Sequence, residues 1–325
     1  MINKSKPLIA FIGLGHMGTP MALRLARAGY RLRVFDRSPA ARSQWKTDDY
    51  IAACATPAEA AHRAQVLITM LPDGRAVSTA LLGGNGAAEG LAAGATVIDM
   101  SSCDPADTKH LAAALAARGI QLLDAPVSGR VDGARAGTLA IMVGGDARAL
   151  ARVRPILECL GSQIFHVGPS AAGHVVKALN NYIAAAGTVA ACEAFIIGRR
   201  FGLDPRTLIE VWNASAGRNS TTQNKLEQHI LSGTFASGFS LGLMAKDVGI
   251  AAGLARNLKI TAPSVQAQLK LWRAAERELL GTADHTRMYA YLESLQGKVK
   301  PNAKRGAKPG ATSARPAKSS PARRT

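Results

Sequence analysis

The stretch from Leu8 to Asp36 constrains this chain more than any other. Leu8 to Ile12 is a short, continuous apolar run, the pattern of a central parallel strand covered on both faces. It leads into Gly13-Leu14-Gly15-His16-Met17-Gly18, then into a helical pattern from Thr19 to Ala28 that stops at Gly29. A second strand, Leu32 to Phe35, ends at Asp36. Glycines at this spacing permit a tight turn and let the backbone approach a pyrophosphate, whose charge meets the helix N-terminus. An acid about 20 residues beyond the glycines is what a ribose diol requires. The triplet alone is a weak signal, which a glycine-rich turn in an unrelated α/β protein also produces. Strand, glycines, helix, strand and acid in that order point to a dinucleotide. Asp36 and Arg37 pull its identity in opposite directions, since a carboxylate repels a 2′-phosphate and a guanidinium welcomes one. Asp36 lies nearer the strand end, which favours NAD and leaves NADP open.

The alternation continues with strands at Val66 to Met70, Ala95 to Asp99, Ile120 to Leu123, Thr138 to Val143 and Ile164 to His166, separated by helical patterns. This predicts an α/β fold, a Rossmann-type doubly wound parallel sheet over residues 1–168 followed by an all-helical domain over 169–296. Ligands of such a sheet lie beyond the strand C-terminal ends. Three ends carry polar or turn residues: Leu71-Pro72, Asp99-Met100-Ser101-Ser102, and Asp124-Ala125-Pro126-Val127-Ser128-Gly129. Each taken alone is an ordinary loop.

Gly173 to Phe201 reads as one long helix needing protein on nearly every side, because it is apolar almost throughout and free of proline. Lys177 and Asn181 are four apart and share a face near its start, with Asn180 beside them. Without further context a snorkelling lysine and a locally bonded asparagine explain the pair. The stretch approaches the length of a membrane span, but Asn180, Asn181, Thr188 and Glu193 interrupt it, so no membrane insertion is expected. Burial against a second subunit, in a homodimer or homotetramer, is expected instead.

The formal net charge is +18, and residues 298–325 carry nine Lys or Arg with no Asp or Glu. Rich in Pro, Ala, Gly and Ser, residues 297–325 read as a disordered basic tail, either a solubilising extension or a contact for nucleic acid. Cys54, Cys103, Cys159 and Cys192 are far apart and form no Cys-x-x-Cys pair, so neither a zinc motif nor a disulfide framework is expected. Gly13 breaks the first apolar run too early for a signal peptide, which makes the cytoplasm the expected location.

The residues resemble the β-hydroxyacid dehydrogenase family, the group that includes 3-hydroxyisobutyrate dehydrogenase and tartronate semialdehyde reductase. The resemblance covers roughly residues 7–296. Four ordered blocks carry it: Gly13 to Gly18 with Met21; Asp124 to Gly129 with Gly133-Ala134 and Gly137-Thr138-Leu139; Gly173 with Lys177, Asn180 and Asn181; and Lys246-Asp247. It implies hydride transfer between a nicotinamide cofactor and a small β-hydroxy acid. Lys177 would be the catalytic acid/base, Asn181 a substrate ligand, and Ser128-Gly129 the cradle for the substrate carboxylate. Lys246 would line the cofactor and substrate cleft, and Leu71, Pro72 and Ser102 would touch the dinucleotide along with Gly13, Leu14, Gly15, His16, Met17, Gly18, Asp36 and Arg37. A helix dipole and Lys246 together should move the Lys177 pKa toward neutrality.

Arg130 departs from the family pattern, which has a second glycine there. If the backbone there is left-handed, a non-glycine residue costs roughly 1 kcal/mol or more; Arg130 then either compensates by contacting the substrate carboxylate or a second acidic group, or is an outward-pointing surface arginine. The alternatives are an NADP-dependent semialdehyde reductase of the same family, and a non-catalytic dehydrogenase-fold scaffold tethered to nucleic acid by the tail. Imine reduction, which similar folds support, is disfavoured by the presence of Lys177.

Overall fold

The computed structural model of the chain describes residues 6–45 and 50–297. The basic tail expected over 297–325 lies outside the described residues from 298 onward.

Strands β1 (Ile9–Ile12), β2 (Leu32–Phe35), β3 (Ile51–Ala53), β4 (Val66–Thr69), β5 (Thr96–Asp99), β6 (Gln121–Asp124), β7 (Val127–Ser128), β8 (Ala140–Gly144) and β9 (Gln163–Gly168) form one sheet. Its order is β3-β2-β1-β4-β5-β6-β8-β7, and β9 pairs with β8. The six strands from β3 to β6 run parallel, as the alternating sequence requires. β1 and β4 are buried along their whole length, as continuous apolar runs should be in the middle of such a sheet. Helices follow most strands, and the one at Gly18–Arg27 buries Gly18, Met21, Ala22 and Leu25, a single face at helical spacing. Asp73, Asp104 and Asp146 start later helices by accepting a backbone N–H two or three residues on.

The sheet departs from the all-parallel expectation at one edge. β8 is antiparallel to both β6 and β7, which share one register against it across Ala125-Pro126. The edge is closed by β9, parallel to β8. Two strands escaped the sequence reading, β3 and β7, because three and two residues are too few to show a period of two.

Beyond Gly168 the described chain is helical except for one isolated bridge between Ser240 and Asp284. The long helix spans Ala172–Phe201 and packs on the helix Leu241–Asn257. Trp272 and Phe195 are fully buried in the core these helices share. The segment expected as one helix around Gln223 to Leu231 divides into an α-helix at Ser220–Asn224 and a π-helical turn at Leu226–Leu231. The long helix also differs from its expectation. It is long and apolar enough to cross a membrane, yet half of its most apolar window is buried within the protein. Val176, Leu179, Ile183, Ile197 and Phe201 are exposed. Cys54, Cys103, Cys159 and Cys192 are free thiols.

The long helix begins against the sheet, and its first residues are fixed there by Asp124. The residue before the helix, Ala171, has φ +75° and offers no capping side chain. The Asp124 carboxylate, fully buried, accepts the N–H of Ala171 at 2.7 Å and of His174 at 3.0 Å. Gly173 lets the backbones meet, since a Cβ there would lie 2.3 Å from the Met142 carbonyl oxygen. Replacing Asp124 with Ala leaves these N–H groups unpaired in the interior, and the expected loss is about 2 kcal/mol. It should appear as a lower denaturant midpoint at unchanged slope.

Candidate active site

The glycine turn after β1 divides its tasks as the spacing requires. A Cβ at Gly18 would lie 1.9 Å from the Gly13 carbonyl oxygen, so the first and third glycines are packed against each other. A Cβ at Gly15 would meet nothing within 4 Å, and Gly15 and His16 are exposed. This is the open face that a pyrophosphate would need, and the donor set fits it: bare backbone at the start of the helix Gly18–Arg27. Leu14 is buried and Met17 half-buried. The Asp36 carboxylate ties the turn to β2, accepting the Leu14 N–H at 2.8 Å through Oδ2 and the Ser38 N–H at 2.8 Å through Oδ1. Arg37 is exposed, and its carbonyl accepts a hydrogen bond from Arg42.

A second group of residues lies where the ends of β4 and β5 meet the helical region. Lys246, on the helix Leu241–Asn257, donates to the Pro72 carbonyl at 3.0 Å and to the Ser102 carbonyl at 2.6 Å. It thus spans from the helices to the C-terminal ends of two central strands. Leu71 beside it donates its N–H to Ser101 Oγ at 2.9 Å. Lys246 is also 3.2 Å from Asp247 Oδ1, an oxygen that makes no hydrogen bond beyond this ion pair. The other Asp247 oxygen accepts from Asn181 Nδ2 at 2.5 Å, and Asn181 Oδ1 accepts from Asn180 at 3.1 Å. Asp247 therefore orients both Lys246 and the Asn181 carboxamide.

Lys177 is one turn before Asn181 and feels the charges of both Asp247 and Lys246. Burial holds its pKa below the ordinary lysine value; Asp247 opposes that shift, and Lys246 adds to it. Desolvation is thus the main cause, ahead of the lysine pair expected from the sequence.

The Ser-Gly turn is placed by β7. Ser128 pairs with Ala140 on β8, and Gly129 has φ +141°, where a Cβ would lie 2.9 Å from Leu139. Arg130 has φ +59°, so the left-handed backbone that the family's glycine would adopt is occupied here by a side-chain-bearing residue. Its guanidinium is 3.9 Å from Asp132 and half exposed. It also acts on Lys225, a buried lysine whose pKa burial lowers first and Arg130 lowers further. Lys225 was not found from the sequence; it follows a short helix with no motif around it. Asp99 and Asp124 stand out in the sequence only as polar strand ends; their contacts with His174 appear only in the fold, which brings the three together.

Comparison with known proteins identifies the family. Residues 8–168 match the model of the NAD binding domain of 6-phosphogluconate dehydrogenase. Residues 171–292 match the NAD-binding family of NADP-dependent 3-hydroxyisobutyrate dehydrogenase. The chain is 38% identical over 299 residues to the NAD-dependent L-serine dehydrogenase of Pseudomonas aeruginosa, covering 89% of this chain and 99% of that one. It is 34% identical over 289 residues to the 2-(hydroxymethyl)glutarate dehydrogenase of Eubacterium barkeri, covering 89% and 96%. A solved structure of Mycobacterium tuberculosis 3-hydroxyisobutyrate dehydrogenase with L-serine superposes with a TM-score of 0.79 at 32% identity, covering 88% of this chain and 99% of the other. These relatives do not favour the reading of a non-catalytic scaffold. With a dinucleotide turn, a helical domain and a lysine cluster at their junction, the chain belongs to the β-hydroxyacid dehydrogenase family, NAD(P)-dependent oxidoreductases of small hydroxy acids.

Proposed function

We propose that Lys177 is the general acid/base in this oxidoreduction, acting on a small β-hydroxy acid that carries a second anionic group. The observation that supports the first part is the depressed Lys177 ammonium, held beside Lys246 and the Asp247–Asn181 pair. A lysine shifted this way can take the proton of the substrate hydroxyl, or return it to the carbonyl in the reverse direction. Bound nicotinamide supplies the hydride acceptor or donor. Asn181, fixed by Asp247, orients the substrate; Ser128 and Gly129 receive its carboxylate through hydroxyl and backbone N–H donors. Gly13 to Gly18, Leu71, Pro72 and Ser102 line the cofactor. Asp36 favours a free ribose diol, hence NAD over NADP.

Arg130 and Lys225 support the second part. Arg130, next to the Ser-Gly turn and partly exposed, disfavours the charge of buried Lys225, and a second carboxylate would relieve that repulsion. The glutarate named for the E. barkeri relative is such a substrate. The exposed stripe of Val176, Leu179, Ile183, Ile197 and Phe201 suits a second copy of the chain, in a homodimer or homotetramer. Four free thiols suit a reducing compartment, the cytoplasm.

Lys177→Ala should lower kcat by roughly 10²–10⁴-fold in an initial-rate panel of hydroxy acids with NAD and NADP; rates comparable to wild type would refute its role. The base form of Lys177 exists above its lowered pKa, so kcat/KM for oxidation should fall as pH drops through that value. Lys246→Gln removes one lowering influence, and the acid limb should move to higher pH.

Arg130→Gly relieves a left-handed residue and should raise stability by about 1 kcal/mol. It should also raise KM at least tenfold for hydroxy acids with two carboxylates while sparing those with one; equal effects on both would remove the second-anion reading. Replacing both Ile183 and Ile197 with Glu should reduce the particle mass seen by light scattering to that of a monomer. A wild type that is already monomeric overturns the oligomer.

A further inference from the structure

We propose that Asp99, Cys103 and His174 form a binding site for a divalent transition metal of the zinc class at the junction of the sheet and the helical region. Asp99 ends β5, Cys103 precedes the helix Pro105–Ala116, and His174 is in the first turn of the long helix. All three are buried. Asp99 Oδ2 is 3.2 Å from Cys103 Sγ and 3.8 Å from His174 Nε2, and the three donor atoms lie within 4.8 Å of one another. In a tetrahedral zinc site, with bonds of about 2.3 Å to sulfur and about 2.0–2.1 Å to nitrogen or oxygen, donor atoms are roughly 3.3–3.5 Å apart. The two contacts made by Asp99 bracket that separation, so modest side-chain movement completes the set.

The chemistry of the donors agrees with the geometry. Thiolate, imidazole and carboxylate are together the ligand types zinc prefers. One thiolate and one carboxylate balance a dication, leaving a neutral group in a place where net charge is costly. Loading releases the Cys103 proton to solvent. Protons compete with the metal for the thiolate and the imidazole nitrogen, so occupancy should weaken as pH falls.

The surroundings of His174 accommodate both the free and the loaded state. Nε2 is 3.1 Å from the Ser101 carbonyl, and Nδ1 is 2.7 Å from Thr108 Oγ1, which is itself 3.0 Å from the Asp104 carbonyl. Without metal, Nε2–H donates to Ser101 and the Thr108 hydroxyl donates to Nδ1. With the proton moved to Nδ1, that N–H donates to Thr108 Oγ1, whose own proton turns to Asp104. Nε2 is then bare and can ligate. A hydroxyl facing two acceptors is the kind of outer partner that fixes the tautomer of a metal-bound histidine. A cavity of about 510 Å³ lined by Asp99, Cys103 and Thr108, with Asp107 and His110 also in its wall, gives an entry path and room for water as a fourth ligand. Metal here would fasten the end of β5 to the long helix, and would grip the segment whose Ser102 carbonyl holds Lys246.

The test uses the full-length, tag-free protein, stripped by a chelator and titrated with Co²⁺ alone. One equivalent should bind, with a thiolate-to-cobalt charge-transfer band and the strong visible absorption of tetrahedral cobalt. Zn²⁺ should raise Tm by mass action. Cys103→Ser should abolish the charge-transfer band, whereas Cys192→Ser, in the distant helical core, should keep it. Asp99→Asn should weaken binding at least tenfold, and it decides the matter should Cys103→Ser not fold. Absence of stoichiometric binding, a band that survives Cys103→Ser, or unchanged affinity in Asp99→Asn overturns the site and leaves a hydrogen-bonded structural cluster in its place.

Discussion

The buried carboxylate of Asp124 joins the two halves of this protein. A helix of 30 residues presents its first N–H groups without internal partners, and here they point into the sheet rather than into water. Asp124, at the end of β6, receives two of them from Ala171 and His174. The approach is so close that neither Gly144 nor Gly173 could carry a side chain: a Cβ would lie 2.6 Å from Asp124 Oδ1 at the first and 2.3 Å from the Met142 carbonyl at the second. The helix therefore leaves the sheet at a fixed place and angle. Lys177 and Asn181 follow one and two turns later, so their position is inherited from a carboxylate at the helix start.

The return contact comes from the opposite direction. Lys246 reaches from the helical region to the carbonyls of Pro72 and Ser102, at the ends of two central strands. Asp247 next to it holds Asn181. The sheet and the helical region are thus tied by two crossings, one through Asp124 and one through Lys246. Low dielectric at the crossing explains why Lys177 holds its proton less tightly than an exposed lysine. The same burial makes unpaired polar groups costly, and Asp247 Oδ1, with only its ion pair to Lys246, is one place where that cost remains.

How much of this was legible in the residues depended on the range of the interaction that decides it. The strand, glycine turn and helix from Leu8 to Ala28 are set by neighbours within a few residues, and the structure has them in order. Family blocks around Ser128, Lys177 and Lys246 pointed to residues that the fold could be asked about one by one. β3 and β7 are held by partners elsewhere in the sheet and have no pattern of their own. The antiparallel direction of β8 follows from a register shared by β6 and β7 across Pro126, which no local periodicity reports. The exposed stripe of the long helix is equally apolar in sequence to its buried face, so composition could not say which side the chain itself covers.

The sequence by itself determined the dinucleotide turn and the order of sheet and helices, and it named the candidate site residues, because propensity, periodicity and motif spacing are local. The family's glycine raised the question of a left-handed backbone at Arg130, and the structure answers it with φ +59°. Only the tertiary structure decided that Asp124 caps the long helix, that Asp247 joins Lys246 to Asn181, and that Arg130 acts on Lys225. Only it brought Asp99 and Cys103 to His174, although the cysteine spacing contains no metal motif. Each of these depends on the close meeting of segments dozens of residues apart, and that meeting is fixed by burial and packing rather than by any pattern along the chain.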